Sequence, residues 1–254
     1  MSGRSNHDPG RFHRLASRLL DAVYPPRCGL CGDRLTHGRT LCLPCGDDLP
    51  RLCAPFCRSC GEGFDGRIDG DFTCPNCSGV RFSFEFARPA LVRDDRTLDL
   101  IHRLKYQHEP HLAGALGTIA REAFDDPRFA PALAGRWPLV PVPLHRARMR
   151  ERHYNQAEEI AIALSPLIGL PVMPLLRRSR GTDTQTALGR RQRMENLKGA
   201  FAPTRLGRKR AKENPQGVVL VDDVLTTGST MHECAKTLRK AGFRRVFAVS
   251  VMRG

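Results

Sequence analysis

The sequence predicts an α/β protein in which a small cysteine-rich module precedes a domain built on a mostly parallel sheet. From Phe82 onward, strand-like apolar segments alternate with segments of helical periodicity, which is typical of parallel sheets covered by helices. Nine of the ten cysteines lie between Cys28 and Cys77, in a segment without periodic apolar pattern. An apolar strand at Gly217–Val221 runs into two carboxylates and a small, hydroxyl-rich turn.

The chain of 254 residues divides into three predicted segments. Residues 1–24 form a tail and an amphipathic helix, residues 25–80 form the cysteine-rich module, and residues 81–254 form the α/β domain. The helix is predicted at Arg11–Val23, where apolar residues recur at helical spacing opposite three arginines. Such a basic amphipathic helix can lie on a membrane, although docking on its own protein is the favoured interpretation.

Element boundaries follow from periodicity and from the residues that break it. The predicted strands are Phe82–Val92, Trp137–Val142, Gly217–Val221 and Arg245–Val251, and the predicted helices are Thr97–Tyr106, His111–Phe124, Asn155–Ile168 and Ser229–Ala241. Polar, charged composition predicts loops at Arg177–Arg193 and Arg205–Lys212.

The formal charge of +15 is unevenly distributed. Residues 1–80 hold ten Lys/Arg and nine Asp/Glu, a net +1, so the rest of the chain carries +14. Such a basic domain attracts polyanions: phosphorylated small molecules, nucleic acid or an anionic membrane. No stretch approaches the roughly 20 apolar residues that span a bilayer, and the amino terminus lacks the pattern of a signal peptide. We therefore expect a cytoplasmic protein without stable membrane insertion.

Eight of the cysteines form four CxxC pairs, and each pair can offer two thiolates to one ion. The candidate metal ligands are Cys28, Cys31, Cys42, Cys45, Cys57, Cys60, Cys74 and Cys77. Tetrahedral Zn²⁺ takes four such sulfurs, so two pairs close one site and the chain is expected to hold two structural zinc ions. Two sequential Cys₄ sites are the simplest pairing, and a cross-braced pairing is the alternative.

The segment Val218–Thr230 combines the groups that hold a sugar phosphate. Asp222 and Asp223, at the carboxyl end of the strand, can accept hydrogen bonds from sugar hydroxyls. The turn and the helix start behind them offer backbone amides and hydroxyls to a phosphate dianion; the members are Thr226, Thr227, Gly228, Ser229 and Thr230. This arrangement predicts a cradle for ribose 5-phosphate, and no Lys-containing Walker loop is present.

This segment resembles the phosphoribosyl-pyrophosphate (PRPP) motif of the type I phosphoribosyltransferases, which have a Rossmann-like domain. The resemblance extends to the ComF family, in which a double zinc ribbon precedes a phosphoribosyltransferase domain. It is carried by the CxxC pairs, Leu104-Lys105-Tyr106, Pro141–Leu144, Arg152–Gln156, Gln185, Arg193, Asn196, Gly199–Phe201 and the PRPP motif. The family is tied to competence and to the use of external DNA.

One motif departs from the family pattern at two adjacent positions. The family usually has Arg-Gly-Phe-Asn-Gln, whereas His153 and Tyr154 replace Gly-Phe here. Because glycine alone adopts positive φ angles at little cost, this replacement changes the backbone angles that the loop can adopt.

The resemblance implies further residues around the pyrophosphate and a flexible loop that closes over the substrate. Guanidinium groups pair with phosphate oxygens, so the arginines after the strand that ends at Pro141–Pro143 are candidates for the pyrophosphate side. The pyrophosphate-side and flexible-loop candidates are Arg146, Arg148, Arg150, Arg152, Asn155, Gln185, Arg193 and Asn196. Mg²⁺ is expected to accompany PRPP.

Two functions remain open from the sequence. The first is an enzyme that transfers ribose 5-phosphate from PRPP to an acceptor. The second is a protein that senses PRPP or binds single-stranded DNA on the same scaffold, with competence proteins as partners. The sequence identifies no catalytic residue, because the candidate bases His102, His108, His111, His145, His153 and His232 are isolated histidines.

Overall fold

The structure, a computed structural model, describes residues 25–36, 40–68, 70–181 and 190–254, without the side chains of residues 190, 191 and 193. The predicted helix at Arg11–Val23 and the candidate Gln185 lie outside the described residues. The chain forms two compact units, Met1–Asp48 and Leu49–Gly254. The first CxxC quartet therefore lies in one unit, while the second belongs to the unit that contains the α/β sheet.

Four parallel strands form the sheet of the larger unit: β1 (Phe86–Leu91), β2 (Leu139–Pro141), β5 (Gly217–Leu225) and β6 (Arg245–Arg253), in the order β1-β6-β5-β2. The central strands are covered on both faces, which explains why β5 and β6 are almost continuously apolar. The predicted α/β class is confirmed. Because β5 is central, its carboxyl end lies where ligands of parallel sheets bind.

Helices connect and cover these strands. In chain order they are α1 (Leu43–Asp47), α2 (Asp95–Tyr106), α3 (Ala113–Arg121), α4 (Ala130–Ala134), α5 (Arg146–Arg152), α6 (Gln156–Ile168), α7 (Arg190–Leu197), α8 (Arg205–Glu213) and α9 (Ser229–Ala241). Short 3₁₀ turns at Pro110–Leu112, Glu122–Asp125 and Pro127–Phe129 flank α3 and lead to α4. The helix predicted over residues 111–124 is therefore shorter and ends in 3₁₀ geometry.

Both predicted loops contain regular structure, so the first prediction is wrong in part and the second is wrong. The segment Arg177–Arg193 begins within β3 (Leu176–Arg178) and ends within α7, and β3 pairs antiparallel with β4 (Phe201–Pro203). The segment Arg205–Lys212 is helix α8. Its mainly basic side chains conceal an amphipathic pattern, since Gly207 and Ala211 are buried. The Thr204 hydroxyl caps the helix by accepting the Gly207 amide at 3.0 Å.

The second CxxC quartet packs into the core of the larger unit. Its four cysteines are buried in the same apolar cluster as Phe84, Val140 and Leu220. The turn around Gly61 lies so close to β1 that a Cβ atom at residue 61 would be 2.4 Å from the Pro89 side chain. The Ala87 amide of β1 also donates a hydrogen bond to the Ser59 carbonyl at 2.9 Å. This quartet is therefore part of the domain that carries the sheet.

Among the described residues, none of the helices combines the length and apolar character that crossing a bilayer requires.

Candidate functional site

Each group of four cysteines has the geometry of a tetrahedral metal site. Cys28, Cys31, Cys42 and Cys45 form one group and Cys57, Cys60, Cys74 and Cys77 the other, with all sulfurs of a group within 4.8 Å of one another. Four sulfurs at a Zn–S distance of about 2.3 Å stand roughly 3.8 Å apart in a tetrahedron. The Cys31–Cys42 and Cys60–Cys74 sulfur pairs are each 3.7 Å apart. The sequential pairing is confirmed, and the cross-braced alternative is wrong.

Two sulfurs of the second group, those of Cys60 and Cys77, need a cation to be held as thiolates. The neighbouring Cys57 raises the pKa of Cys60 to about 12, and Cys57 and Cys60 raise the pKa of Cys77 further. Crowded thiols of this kind release their protons when a metal ion supplies positive charge. With four sulfurs and no open position, a bound Zn²⁺ would stabilise the fold rather than catalyse a reaction.

The acidic pair lies inside β5, which continues past the predicted end at Val221 to Leu225. Asp223 is 4% exposed, and its Oδ2 forms an ion pair with Lys105 Nζ at 2.7 Å. Its Oδ1 accepts the Val224 amide at 2.7 Å, and Asp222 Oδ1 accepts the Asp223 amide at 3.0 Å. Helix α2 thus supplies a lysine to the pair. Lys105 is part of the family resemblance, but its local sequence does not place it at the site.

The carboxyl of Asp222 is strongly perturbed. Burial, followed by the charge of Asp223, raises the pKa of Asp222 to about 8, although Lys105 and Arg178 lower it. The positive charge near Asp222 and Asp223 is therefore too small for both carboxylates to be ionised at neutral pH. Hydroxyl donors or a cation brought by a ligand would relieve this repulsion, so the pair fits a sugar with Mg²⁺ nearby.

We call residues Thr226–Thr230 the phosphate loop; it links β5 to α9. Gly228 is the N-cap of α9 and has a φ angle of 76°, a conformation that glycine adopts without strain. A Cβ there would also come within 3.2 Å of the Phe82 ring. The Thr227 and Ser229 hydroxyl oxygens are 2.9 Å apart, at the amino-terminal end of α9, where the first amides of the helix are free of intrahelical partners. This is the donor set that a phosphate dianion requires.

The predicted pyrophosphate-side arginines lie on a helix rather than on an extended loop. On α5, residues four apart share a face, so Arg146 and Arg150 lie on one side and Arg148 and Arg152 on the other. Arg146 and Arg150 are exposed, Arg148 is half-buried, and Arg152 is 2% exposed. The near-alternate spacing therefore does not bring all four guanidinium groups together.

Two of the pyrophosphate-side candidates, Arg152 and Asn155, make contacts that stabilise the local fold. Arg152 donates to Gln156 Oε1 at 3.1 Å and lies over the Tyr106 ring, 4.7 Å from its centre. Asn155 caps α6 through the Ala157 amide and donates to the Val142 carbonyl at 3.0 Å.

The loop candidates are described in part. Asn196 lies at the end of α7, where its carbonyl accepts a bond from Arg180 at 2.9 Å. Arg193 belongs to α7, but its side chain, like the whole of Gln185, lies outside the described residues.

The departure from the family pattern at His153 has a structural consequence. His153 ends α5 with a φ angle of 67°, in the left-handed region. The backbone therefore keeps the conformation that glycine would adopt, and the histidine carries the strain. Its ring lies 5.4 Å from that of His108, which also has a positive φ angle.

Two of the candidate histidines serve as backbone acceptors. His232 Nδ1 accepts the Ser83 amide at 3.0 Å, and burial lowers the pKa of His232, so its imidazole is neutral. His145 caps α5 by accepting the Ala147 amide at 3.4 Å. These contacts use the lone pairs that a general base would need.

A basic groove lies between α8 and α9, with β4 as its floor. Its cavity volume is about 1010 Å³, and its floor is formed by Phe201, Ala202 and Pro203. The charged residues that line it are Lys198, Arg208, Lys209, Lys212, Lys236 and Lys240, with the single carboxylate of Glu233 among the lining residues. The basicity of this region is evident in the sequence, but the predicted loop at Arg205–Lys212 is helix α8.

Two family models match this chain. The model of the double zinc ribbon domain matches residues 19–78, and that of the phosphoribosyl transferase domain matches residues 155–254. The second range contains the acidic pair, the phosphate loop and the basic groove.

Relatives resemble the chain over most of its length. It is 29% identical over 229 residues to Competence protein F of Haemophilus influenzae, covering 87% of this chain and 93% of the relative. It is 33% identical over 216 residues to DNA utilization protein YhgH of Escherichia coli O157:H7, covering 85% of each. It is 21% identical over 249 residues to Competence protein ComFC of Bacillus subtilis, covering 94% of each.

Proposed function

Because the chain belongs to the ComF family, with its double zinc ribbon and phosphoribosyltransferase domain, we propose that it binds PRPP with Mg²⁺ and supports the use of external DNA. PRPP occupies the carboxyl edge of β5. The role in DNA use rests on what the names of its relatives say of those proteins. Action in the cytoplasm, where PRPP is made, belongs to the same proposal.

The observation that carries this proposal is the strand, acidic pair, phosphate loop and helix at Val218–Thr230. The phosphate loop binds the 5-phosphate through its amides and hydroxyls. Asp222 and Asp223 accept the ribose hydroxyls, and the ion pair with Lys105 holds Asp223 in place. Mg²⁺, when bound with the pyrophosphate, neutralises the charge of that leaving group.

Calorimetric and thermal-shift titration with PRPP and Mg²⁺ tests the site. A hundredfold excess of ligand over Kd stabilises the folded state by about 2.7 kcal/mol, which raises the melting temperature by several degrees. The double variant Asp222→Asn/Asp223→Asn should lose this rise, because each amide offers the ribose hydroxyls one acceptor oxygen instead of two and carries no negative charge.

The matched control is Asp95→Asn/Asp99→Asn, which makes the same side-chain replacements on the exposed face of α2. It should keep the PRPP response of the unmodified protein. An undiminished response in the Asp222/Asp223 variant would show that the acidic pair does not bind PRPP.

Pyrophosphate release on the same samples separates the two functions of a PRPP site. Release on adding an acceptor base or amine assigns the protein to the phosphoribosyltransferases. Binding without release over a panel of acceptors favours a PRPP sensor.

The basic groove supports a second candidate function, the binding of single-stranded DNA. Arg208 and Lys212 on α8 and Lys236 and Lys240 on α9 form two rows, each spaced by one helical turn. Such rows suit a phosphate backbone, whereas Phe201 is buried and cannot stack on bases. Binding is therefore expected to depend on salt and to be insensitive to sequence.

Charge reversal tests this groove. The triple variant Arg208→Glu/Lys209→Glu/Lys212→Glu should weaken binding of a fluorescent oligonucleotide. It should also reduce the slope of log K against log salt by about 2, since each phosphate contact on a single strand contributes about 0.7. The control Arg93→Glu/Arg96→Glu/Arg121→Glu changes the same net charge on exposed residues outside the groove. Equal losses in both variants would mean that the groove is not the DNA site.

A further inference from the structure

Arg253 connects the end of β6 to the start of the phosphate loop. It pairs in register with Leu225, the last residue of β5, and its side chain is only 9% exposed. Its Nη1 donates to the carbonyl oxygen of Leu225 at 2.6 Å and to that of Thr226. One guanidinium group thus holds the two peptide groups with which the loop begins.

Holding these carbonyls also fixes the direction of the neighbouring amides. In a planar trans peptide the C=O and N–H bonds point in opposite directions. When Arg253 attracts the carbonyls of Leu225 and Thr226, the N–H groups of Thr226 and Thr227 are turned away from the guanidinium. These are amides of the phosphate loop, so Arg253 sets the orientation in which they meet a ligand.

Arg253 is itself held by the second zinc ribbon. Its Nη2 forms an ion pair with Glu62 Oε2, and Glu62 directly follows the turn that carries Cys57 and Cys60. The Glu62 carbonyl accepts the Cys57 amide at 2.7 Å, so the backbone of Glu62 belongs to the metal-binding turn. That turn is fixed on β1 through the close approach at Gly61.

We propose that Arg253, held by Glu62, positions the amides of Thr226 and Thr227 for the 5-phosphate, and that the second ribbon thereby supports the phosphoribosyl site. We call this contact the Glu62–Arg253 brace. The proposal rests on the proposed PRPP site. Arg253 acts through the loop and does not touch the ligand, so it is a positioning residue.

Separate titrations with ribose 5-phosphate and with magnesium pyrophosphate test the brace. The variant Arg253→Lys keeps the charge, but an ammonium group cannot hold both carbonyls and Glu62 in one plane. It should weaken ribose 5-phosphate binding about tenfold while magnesium pyrophosphate binding changes less than twofold. Glu62→Gln, at a half-exposed side chain, should weaken ribose 5-phosphate binding about threefold and preserve the fold.

The control is Glu85→Gln, which removes the ion pair to Arg245 at the other end of the same strand. It should leave both affinities unchanged. Because Glu62 acts through Arg253, the double variant Glu62→Gln/Arg253→Lys should bind ribose 5-phosphate no more weakly than Arg253→Lys alone. Additive losses would overturn the link to the ribbon.

The outcomes also distinguish the brace from the site on which it rests. If the unmodified protein does not bind ribose 5-phosphate, the PRPP site is overturned, and the brace with it. If the unmodified protein binds and both variants bind equally well, only the brace is overturned. A loss of both ligands together with a lowered melting temperature would indicate general destabilisation and would also overturn it.

Discussion

At the residue scale, Asp222 is the group whose titration is most altered by the fold. Its folded-state pKa of about 8 lies above the value of 3.8 for an isolated aspartate. Between these values the folded protein holds a proton that the unfolded chain releases. Rising pH therefore removes stability across this window, and the loss is complete above about pH 8.

The variant Asp222→Asn keeps a neutral side chain at every pH. We expect its stability to match that of the unmodified protein near pH 4 and to exceed it as the pH approaches 8. Each kcal/mol of difference in the free energy of unfolding should raise the melting temperature by on the order of 2–4 °C. Melting temperatures over this pH range check the prediction, with the exposed Asp99→Asn as control. A difference that does not grow with pH would contradict the raised pKa.

At the element scale, the connection from β2 to α6 contains a strained residue, His153, at the end of α5. The replacement of glycine by His153 suggests an altered loop, whereas the structure keeps the left-handed angle at the end of α5. A residue other than glycine in the left-handed region destabilises the folded state by roughly 1–2 kcal/mol. A glycine instead gives the unfolded chain more conformational entropy, which destabilises the folded state by about 0.4–1 kcal/mol. The steric cost is the larger of the two.

His153→Gly is therefore expected to stabilise the protein, by about 0.5–1 kcal/mol, as measured by the midpoint of urea unfolding. Glu151→Gly, at an exposed right-handed position of the same helix, should destabilise it by about the same amount. Destabilisation by both glycines would show that His153 contributes contacts that outweigh its backbone strain.

At the scale of the whole molecule, the two zinc-binding groups have different relations to the core. Cys57, Cys60, Cys74 and Cys77 lie in the core cluster of the larger unit, whereas Cys28, Cys31, Cys42 and Cys45 belong to the smaller compact unit. A metal ion bound at the second group would therefore contribute to the stability of the sheet domain itself. The boundary predicted between residues 80 and 81 stays a prediction, since the two compact units of the structure meet between Asp48 and Leu49 in the sequence.

Elemental analysis and calorimetry of single cysteine variants test this difference. The unmodified protein should hold about two zinc ions per chain, and Cys28→Ser and Cys57→Ser should each hold about one. Cys57→Ser should lower the main unfolding transition by about 10 °C, equivalent to roughly 3–4 kcal/mol, while Cys28→Ser leaves it unchanged. Equal shifts in the two variants would mean that both groups support the same core.

The sequence by itself determined the features whose residues are neighbours along the chain. The CxxC pairs, the segment Val218–Thr230 and the strand–helix alternation each depend on spacing, which covalent geometry converts directly into local structure. For this reason the α/β class, the zinc ribbon and the family were all predictable. Periodicity failed at α8, where basic side chains conceal a short buried stripe.

Only the tertiary structure decided which distant residues meet at the site. Lys105 reaches Asp223 from α2, Arg253 holds the phosphate loop from β6, and two helices enclose the basic groove. It also separated four arginines that near-alternate spacing had grouped, because α5 turns them to opposite faces. These contacts depend on strand order and helix packing, which arise from burial over the whole domain and leave no local pattern in the sequence.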